Sequence, residues 1–133
     1  MEALIQYKDG VKFEAGCRGH HVLCDQPATI SGEDAGMSPP EFLLVSLGTC
    51  AGFYALQYLR TRSLPLDGLK VRVVAEKAAQ PARLGSFRIE VAVPELEPHH
   101  REGVLRAVKA CLVHNTLMHP PTIETVLTSA AAK

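Results

Sequence analysis

Residues 38–60 read SPPEFLLVSLGTCAGFYALQYLR, and this stretch decides the fold. It opens with three independent signals for a helix start. Ser38 is a typical N-cap residue, Pro39 suits the first helical position, and Glu41 follows the serine by three residues, which completes a capping box. Pro65 prevents the helix from continuing far beyond Ser63. The sequence therefore predicts one long helix that begins at Ser38 and ends near Ser63.

This helix has almost no polar face. Residues 42–59 carry no formal charge, whereas an amphipathic surface helix has charged or polar residues along the face opposite its apolar face. Such a stretch also reaches the lower length limit of a membrane span, but Ser46, Thr49 and Gln57 lower its hydropathy. We therefore expect a helix buried on nearly all sides. A chain of 133 residues can hardly surround it alone, so a second copy is expected to cover the rest in an obligate homodimer.

The remaining sequence predicts an α+β protein with a single domain over residues 1–133. Upstream, alternating residues around Asp9-Gly10 predict a β-hairpin, and residues 21–24 a third strand. Downstream, the patterns predict two antiparallel strands, a second helix and a last strand, over residues 69–76, 87–93, 97–117 and 123–127.

Composition narrows the function classes. Hydrophobic residues make up 47% of the chain and charged residues 21%, which favours a folded core over disorder. The formal net charge is zero and the basic residues are scattered, so we expect neither a nucleic-acid nor a membrane partner. The N-terminus does not resemble a signal peptide, which predicts a cytoplasmic protein with four reduced cysteines. No C-x-x-C or short Cys/His spacing occurs, so no metal or other cofactor is expected.

Two of the cysteines lie in the predicted helices. Cys50 is in the middle of the first helix, and Cys111 is on the apolar stripe of the second. Taken singly, each is typical of a small buried core residue. If the two helices pack against each other, however, the sulfurs come within disulfide range. A reactive thiol also needs a cation or a helix N-terminus nearby, which a helix interior does not provide, so any activating group must come from elsewhere.

Two segments resemble motifs of the OsmC/Ohr family (osmotically inducible protein C and organic hydroperoxide resistance proteins). Residues 38–50 resemble the family's P-x-E-L-L-L-A-A-L-G-x-C helix. Residues 111–117, CLVHNTL, resemble its second-cysteine motif C-P-V-H-N-T-L, with Leu112 in place of proline. The order of strands and helices matches over nearly the whole chain, and the resemblance is closer to the OsmC-like branch than to Ohr itself.

The resemblance implies an OsmC-like fold, with antiparallel sheets packed around two central helices in an intertwined homodimer. It implies a thiol-dependent peroxidase that reduces organic hydroperoxides, or hydrogen peroxide, in oxidative stress. Cys50 would be the peroxidatic cysteine and Cys111 the resolving one, joined in a disulfide that an external thiol or dithiol reduces. An apolar substrate pocket would be lined from Phe42, Phe53 or Leu117. The alternative is a non-catalytic OsmC-like protein that senses redox state or binds a small ligand.

The same resemblance makes Glu41 and Arg18 candidates for the pair of side chains that holds and activates the peroxidatic thiolate. Glu41 precedes Cys50 by nine residues, which places it about 13 Å along the helix axis. Glu41 would therefore act through an arginine or from the partner subunit, or serve only as the capping-box residue. Arg18 lies in a glycine-rich turn, where it is either the family's arginine or a solvated turn residue.

Overall fold

The computed structural model describes residues 1–129. The chain folds into two compact units. Of the described residues, the first unit contains 1–42 and 123–129, and the second contains 43–122. The strands are β1 (Leu4–Tyr7), β2 (Phe13–Cys17), β3 (His20–Cys24), β4 (Lys70–Ala78) and β5 (Arg83–Ala92). The helices are α1 (Pro39–Thr61), α2 (Arg101–Lys109) and α3 (Leu112–Met118), with short 3-10 turns at Ala28–Ile30 and Pro98–His100. The predicted α+β class is confirmed.

In the first unit, three strands form an antiparallel sheet in the order β1-β2-β3. The predicted hairpin is present, and its turn extends beyond Asp9 and Gly10. The Lys8 amide donates to the Lys12 carbonyl at 3.0 Å, and the Lys12 amide donates to the Asp9 carbonyl at 2.8 Å. Gly10 has a φ of +53° in this turn, a conformation that glycine adopts without steric cost. Strand β2 therefore begins only at Phe13.

A buried carboxylate organises the loop between β3 and α1. Asp25 has no exposed surface, and its side chain accepts hydrogen bonds from the backbone amides of Gln26, Glu33 and Ala35 at 2.8, 3.1 and 3.0 Å. The amide of Ala35, followed by those of the other two residues, lowers the pKa of Asp25 against the opposing effect of burial. One side chain thus satisfies three loop amides.

The second unit contains an antiparallel pair of strands and the hydrophobic core. Strands β4 and β5 pair from Lys70 opposite Ala92 to Ala78 opposite Arg83, which confirms the predicted antiparallel arrangement. Helix α1 contributes buried residues four positions apart, Ala51, Ala55 and Leu59, and α2 contributes Val104 and Val108. A spacing of four residues places each set on one side of its own helix. The two sets pack together in one hydrophobic cluster.

Helix α1 begins and ends close to the predicted bounds, but it is not buried on nearly all sides within one chain. Val45 is 44% exposed and Phe53 is 53% exposed. The helix is also long and apolar enough to cross a membrane by length and composition, a test that core helices of soluble proteins pass as well. Within the single chain, α1 thus presents an exposed apolar side.

Two predicted elements are wrong. The second helix is not continuous from residue 97 to 117 but is interrupted between α2 and α3, at residues 110–111. Residues 123–127 form no strand in the described part of the chain, and Leu127 is 99% exposed. An alternating pattern produces a strand only where a neighbouring strand supplies hydrogen-bond partners, and none pairs with this segment among residues 1–129.

Candidate thiol site

Cys50 lies on α1 beside the stripe of buried residues that faces the core. Leu47 and Ala51, one turn before it and directly after it, are 2% and 0% exposed. Cys50 itself is half-buried. A molecule in solution therefore has partial access to its thiol.

Cys111 lies where the second helical segment breaks. Its backbone is extended, with φ −56° and ψ 133°, and it forms the N-cap of α3. The Sγ atom accepts a hydrogen bond from the backbone amide of His114 at 3.5 Å, as an N-cap side chain does from the third helical residue. The side chain is fully buried. The sequence pattern did not reveal this break because apolar residues continue at helical spacing across it.

The structure brings the two thiols together within the second unit. Cys50 lies near enough to Cys111 to influence the pKa of its thiol, and no disulfide is present among the described cysteines. Burial, and next the contact with Cys50, raise the pKa of Cys111, while the amides of His114 and Val113 oppose this change. Neighbouring thiols of this kind are candidates for a disulfide, which requires the two Cα atoms to lie within about 7 Å of each other.

Glu41 occupies the predicted capping box. Its Oε2 atom accepts hydrogen bonds from the Ser38 amide at 2.7 Å and from the Ser38 hydroxyl at 2.9 Å. The amide, and then the hydroxyl, lower the pKa of Glu41. The described contacts of Glu41 thus stabilise the start of α1, and a role in activating Cys50 stays a prediction.

Arg18 lies at the turn between β2 and β3, in the first unit. It is exposed and has a φ of +52°, next to Gly19 in the tight connection. A shallow groove beside it is lined by residues of the same sheet, including Glu14 and His21. The sequence predicts that Arg18 acts on Cys50, which belongs to the second unit, and this pairing stays a prediction.

A cavity of about 520 Å³ adjoins the helices that carry the two thiols. Leu47 of α1, Phe87 and Ile89 of β5, and His114 and Leu117 of α3 line it. Leu47 precedes Cys50 by one turn, and the amide of His114 contacts Cys111. Of the three residues proposed to line a substrate pocket, Leu117 lines this cavity. Phe53 instead lines a separate apolar groove of about 610 Å³ between α1 and β4.

Sequence reasoning missed Asp25 as an organising residue and gave His114 no specific task. The signal for Asp25 was its position at the end of a strand, directly before a loop rich in proline and glycine, where aspartate commonly binds backbone amides. Among residues 1–129, no three His, Cys, Asp or Glu side chains are grouped so that they could hold a metal ion.

The long apolar helix, the two antiparallel sheets and the two neighbouring thiols together define an α+β protein with a candidate dithiol site. The model of the OsmC-like protein family matches residues 32–126. The chain therefore belongs to the OsmC-like family, and the identification made from its two motifs is confirmed. Comparison with curated proteins finds no match.

Solved structures share the fold at low sequence identity. A Psychrobacter arcticus protein, a candidate osmotic stress induced and detoxification response protein, has a TM-score of 0.78 at 20% identity, with 86% of this chain and 85% of that chain covered. An OsmC-like protein from Mycoplasma pneumoniae has a TM-score of 0.71 at 19% identity, with 90% and 87% covered. An organic hydroperoxide resistance protein OsmC from Legionella pneumophila has a TM-score of 0.61 at 15% identity, with 87% of each chain covered. The OsmC-like fold is a soluble one, and a single long apolar helix is weak evidence for a membrane span.

Proposed function

We propose that the protein is a thiol-dependent peroxidase that reduces organic hydroperoxides, with Cys50 as the attacking thiol and Cys111 as the resolving thiol. The observation that carries the proposal is that a half-buried cysteine and a fully buried cysteine are neighbours in the second unit. Family membership and the likeness to an organic hydroperoxide resistance protein support the same redox role.

The reaction follows from the arrangement of the two sulfurs. The Cys50 thiolate attacks the distal oxygen of the peroxide, the O–O bond breaks, and the alkoxide leaves and takes a proton to become an alcohol. Cys50 is now a sulfenic acid. The Cys111 thiol attacks its sulfur and a water molecule leaves, which produces the Cys50–Cys111 disulfide. Two equivalents of an external thiol, or one dithiol, then reduce this disulfide and become a disulfide themselves.

Exposure favours this assignment of roles over its reverse. A peroxide must reach the attacking sulfur from solution, and Cys50 has the accessible side chain of the two. The resolving sulfur needs only to reach Cys50, so full burial of Cys111 is no obstacle. The cavity lined by Leu47 and Leu117 offers an apolar surface next to these helices for the alkyl group of the substrate.

Arg18 and Glu41 are our candidates for activating Cys50. A guanidinium beside the sulfur would favour its anion, and a carboxylate would orient that guanidinium through a paired hydrogen bond. Both bonds from Ser38 reach Oε2 of Glu41, which leaves Oε1 able to accept from an arginine. Since Glu41 lies about 13 Å from Cys50 along α1, it would act through the arginine or from a partner subunit.

We further propose that the protein is a cytoplasmic homodimer. The groove of about 610 Å³ between α1 and β4 is lined by apolar residues, and Phe53 at its edge is 53% exposed in the single chain. Exposed apolar patches of this kind are typical of protein interfaces. A second copy would cover the side of α1 that one chain leaves open.

The second candidate function is that of a non-catalytic protein that binds a small ligand or senses redox state. The cavity of about 520 Å³ favours it, because this volume lies within the usual range for small-molecule sites. In such a protein the two thiols would form a disulfide without turning over peroxide.

Thiol-dependent consumption of cumene hydroperoxide distinguishes the two functions. We expect turnover in the wild-type protein and in Cys17→Ser, a control that removes an exposed cysteine of the hairpin. Cys50→Ser should abolish turnover. Cys111→Ser should leave a sulfenic acid on Cys50 that dimedone traps. Absence of turnover in the wild type would refute the peroxidase, and equal activity of Cys50→Ser and Cys111→Ser would refute the assigned roles.

A further inference from the structure

The two sulfurs of the candidate site differ sharply in their access to solvent. Cys111 has no exposed surface, whereas Cys50 is half-buried. The difference arises from their places in the fold, because Cys50 lies beside the core-facing stripe of α1 and Cys111 lies at the buried junction between α2 and α3. This asymmetry bears on how a disulfide between them can be opened.

Thiol–disulfide exchange proceeds by attack of a thiolate on one of the two sulfurs, and the other sulfur leaves with the electron pair of the broken bond. The incoming thiolate must approach the attacked sulfur directly, so access decides which sulfur reacts. An external thiolate can approach Cys50 but would have to open the core to reach Cys111.

The leaving sulfur also needs stabilisation as it acquires negative charge. The Sγ atom of Cys111 accepts the His114 amide hydrogen at the start of α3, and the amide of Val113 acts in the same direction. Burial works against this, because it raises the pKa of Cys111 and makes its thiolate a poorer leaving group. The pKa of the leaving thiol changes the rate of exchange by a factor. A sulfur without exposed surface, by contrast, cannot be attacked by an external thiolate at all. Solvent access therefore determines which of the two sulfurs the external reductant attacks.

We propose that the external reductant attacks Cys50 of the Cys50–Cys111 disulfide, forms a mixed disulfide on Cys50, and releases Cys111 as the thiolate held by the His114 amide. In this step one S–S bond breaks and one forms, and the thiolate of Cys111 then takes a proton. A second thiol attacks the reductant's sulfur in the mixed disulfide and frees Cys50. This proposal rests on the proposed function only for the existence of the disulfide and not for peroxide turnover.

The test uses a chain in which Cys17 and Cys24 are replaced by serine, so that the pair are the only cysteines. The disulfide is formed with diamide rather than peroxide, which makes the result independent of peroxidase activity. The oxidised protein is mixed briefly with glutathione and quenched with acid. Free thiols are then blocked with N-ethylmaleimide, and peptide mass mapping locates the glutathione.

We expect glutathione on Cys50 and maleimide on Cys111, in roughly tenfold or greater excess over the reverse labelling. The same oxidised chain unfolded in urea is the control, and there the preference should disappear because burial no longer protects Cys111. Glutathione mainly on Cys111, equal labelling of the folded protein, or a preference that survives unfolding would overturn the proposal. Failure of diamide to form the disulfide would overturn it as well. Loss of peroxide turnover alone would refute the proposed function and leave this proposal intact.

Discussion

Replacing Gly103 by alanine should destabilise the protein, although alanine is the better helix former. Gly103 is buried in α2, and a Cβ atom built there lies 2.2 Å from the Tyr58 hydroxyl oxygen and 2.4 Å from two ring carbons. The ring has little freedom to move away. Its hydroxyl is hydrogen-bonded to Nδ1 of His100 at 3.0 Å, and the Arg62 guanidinium lies 3.7 Å from its centroid.

The magnitude follows from two opposing effects. Overpacking a filled site lowers the free energy of unfolding by about 1–3 kcal/mol, and the higher helix propensity of alanine offsets at most about 1 kcal/mol of this loss. Because an approach of 2.2 Å is a severe overlap, the cost lies in the upper part of that range, about 2–3 kcal/mol, and the free energy of unfolding of Gly103→Ala should fall by about 1–2 kcal/mol. Gly52→Ala is the matched control, because its Cβ would meet Val71 at an ordinary 3.5 Å. That variant should be unchanged or more stable by up to about 1 kcal/mol.

Urea unfolding followed by circular dichroism measures both variants against the wild type. All three must be compared at one protein concentration, since self-association would contribute to stability. A Gly103→Ala protein as stable as the wild type, or a Gly52→Ala protein equally destabilised, would refute the argument from the packing around Tyr58.

Two further predictions concern the groove and the start of α1. Phe53→Glu should convert the proposed dimer to a monomer in sedimentation measurements, because it places a charge in the apolar groove. Leu105→Glu, at a similarly exposed position on α2, should leave the mass unchanged. An unchanged mass for Phe53→Glu would contradict the proposed interface. The hydrogen bonds from Ser38 lower the pKa of Glu41 from its ordinary value of 4.5, so their stabilising effect is present above about pH 4.5 and is lost as the pH falls through the folded-state value. Glu41→Gln should accordingly lose less stability on acidification than the wild type in urea titrations, and parallel pH profiles would show that the capping bond is not a source of acid sensitivity.

Local signals in the sequence predicted the elements that depend on local chemistry. The start of α1 could be predicted because Ser38 and Glu41 stand three residues apart; the Glu41 carboxylate accepts from the Ser38 amide as a capping box requires, and it also accepts from the Ser38 hydroxyl. The β4–β5 pair could be predicted because its apolar residues alternate. The packing of two apolar helical stripes predicted that Cys50 and Cys111 would be neighbours, but Cys111 lies in the break before α3 and not on a continuous helix.

The features that sequence reasoning missed depend on tertiary contacts. The break at Cys111 interrupts an apolar pattern that continues at helical spacing, and it is stabilised by a bond from the His114 amide to the Cys111 sulfur, which lies beside Cys50. Residues 123–127 have the alternation of a strand but no strand partner within the described chain. Periodicity reports which side chains are apolar, and it does not report which backbone groups will find partners.

The carboxylate of Asp25 has a consequence for which loop sequences the protein can tolerate. Because the backbone amides of residues 33 and 35 make the bonds, the side chains at those positions are free to vary without loss of the loop's conformation. The restriction falls instead on two glycines. A Cβ at Gly32 would lie 1.7 Å from the Gln26 carbonyl oxygen, and one at Gly36 would lie 2.3 Å from that of Leu23. Among OsmC-like proteins that share this loop, we expect diversity at residues 33 and 35, between two positions where only glycine fits.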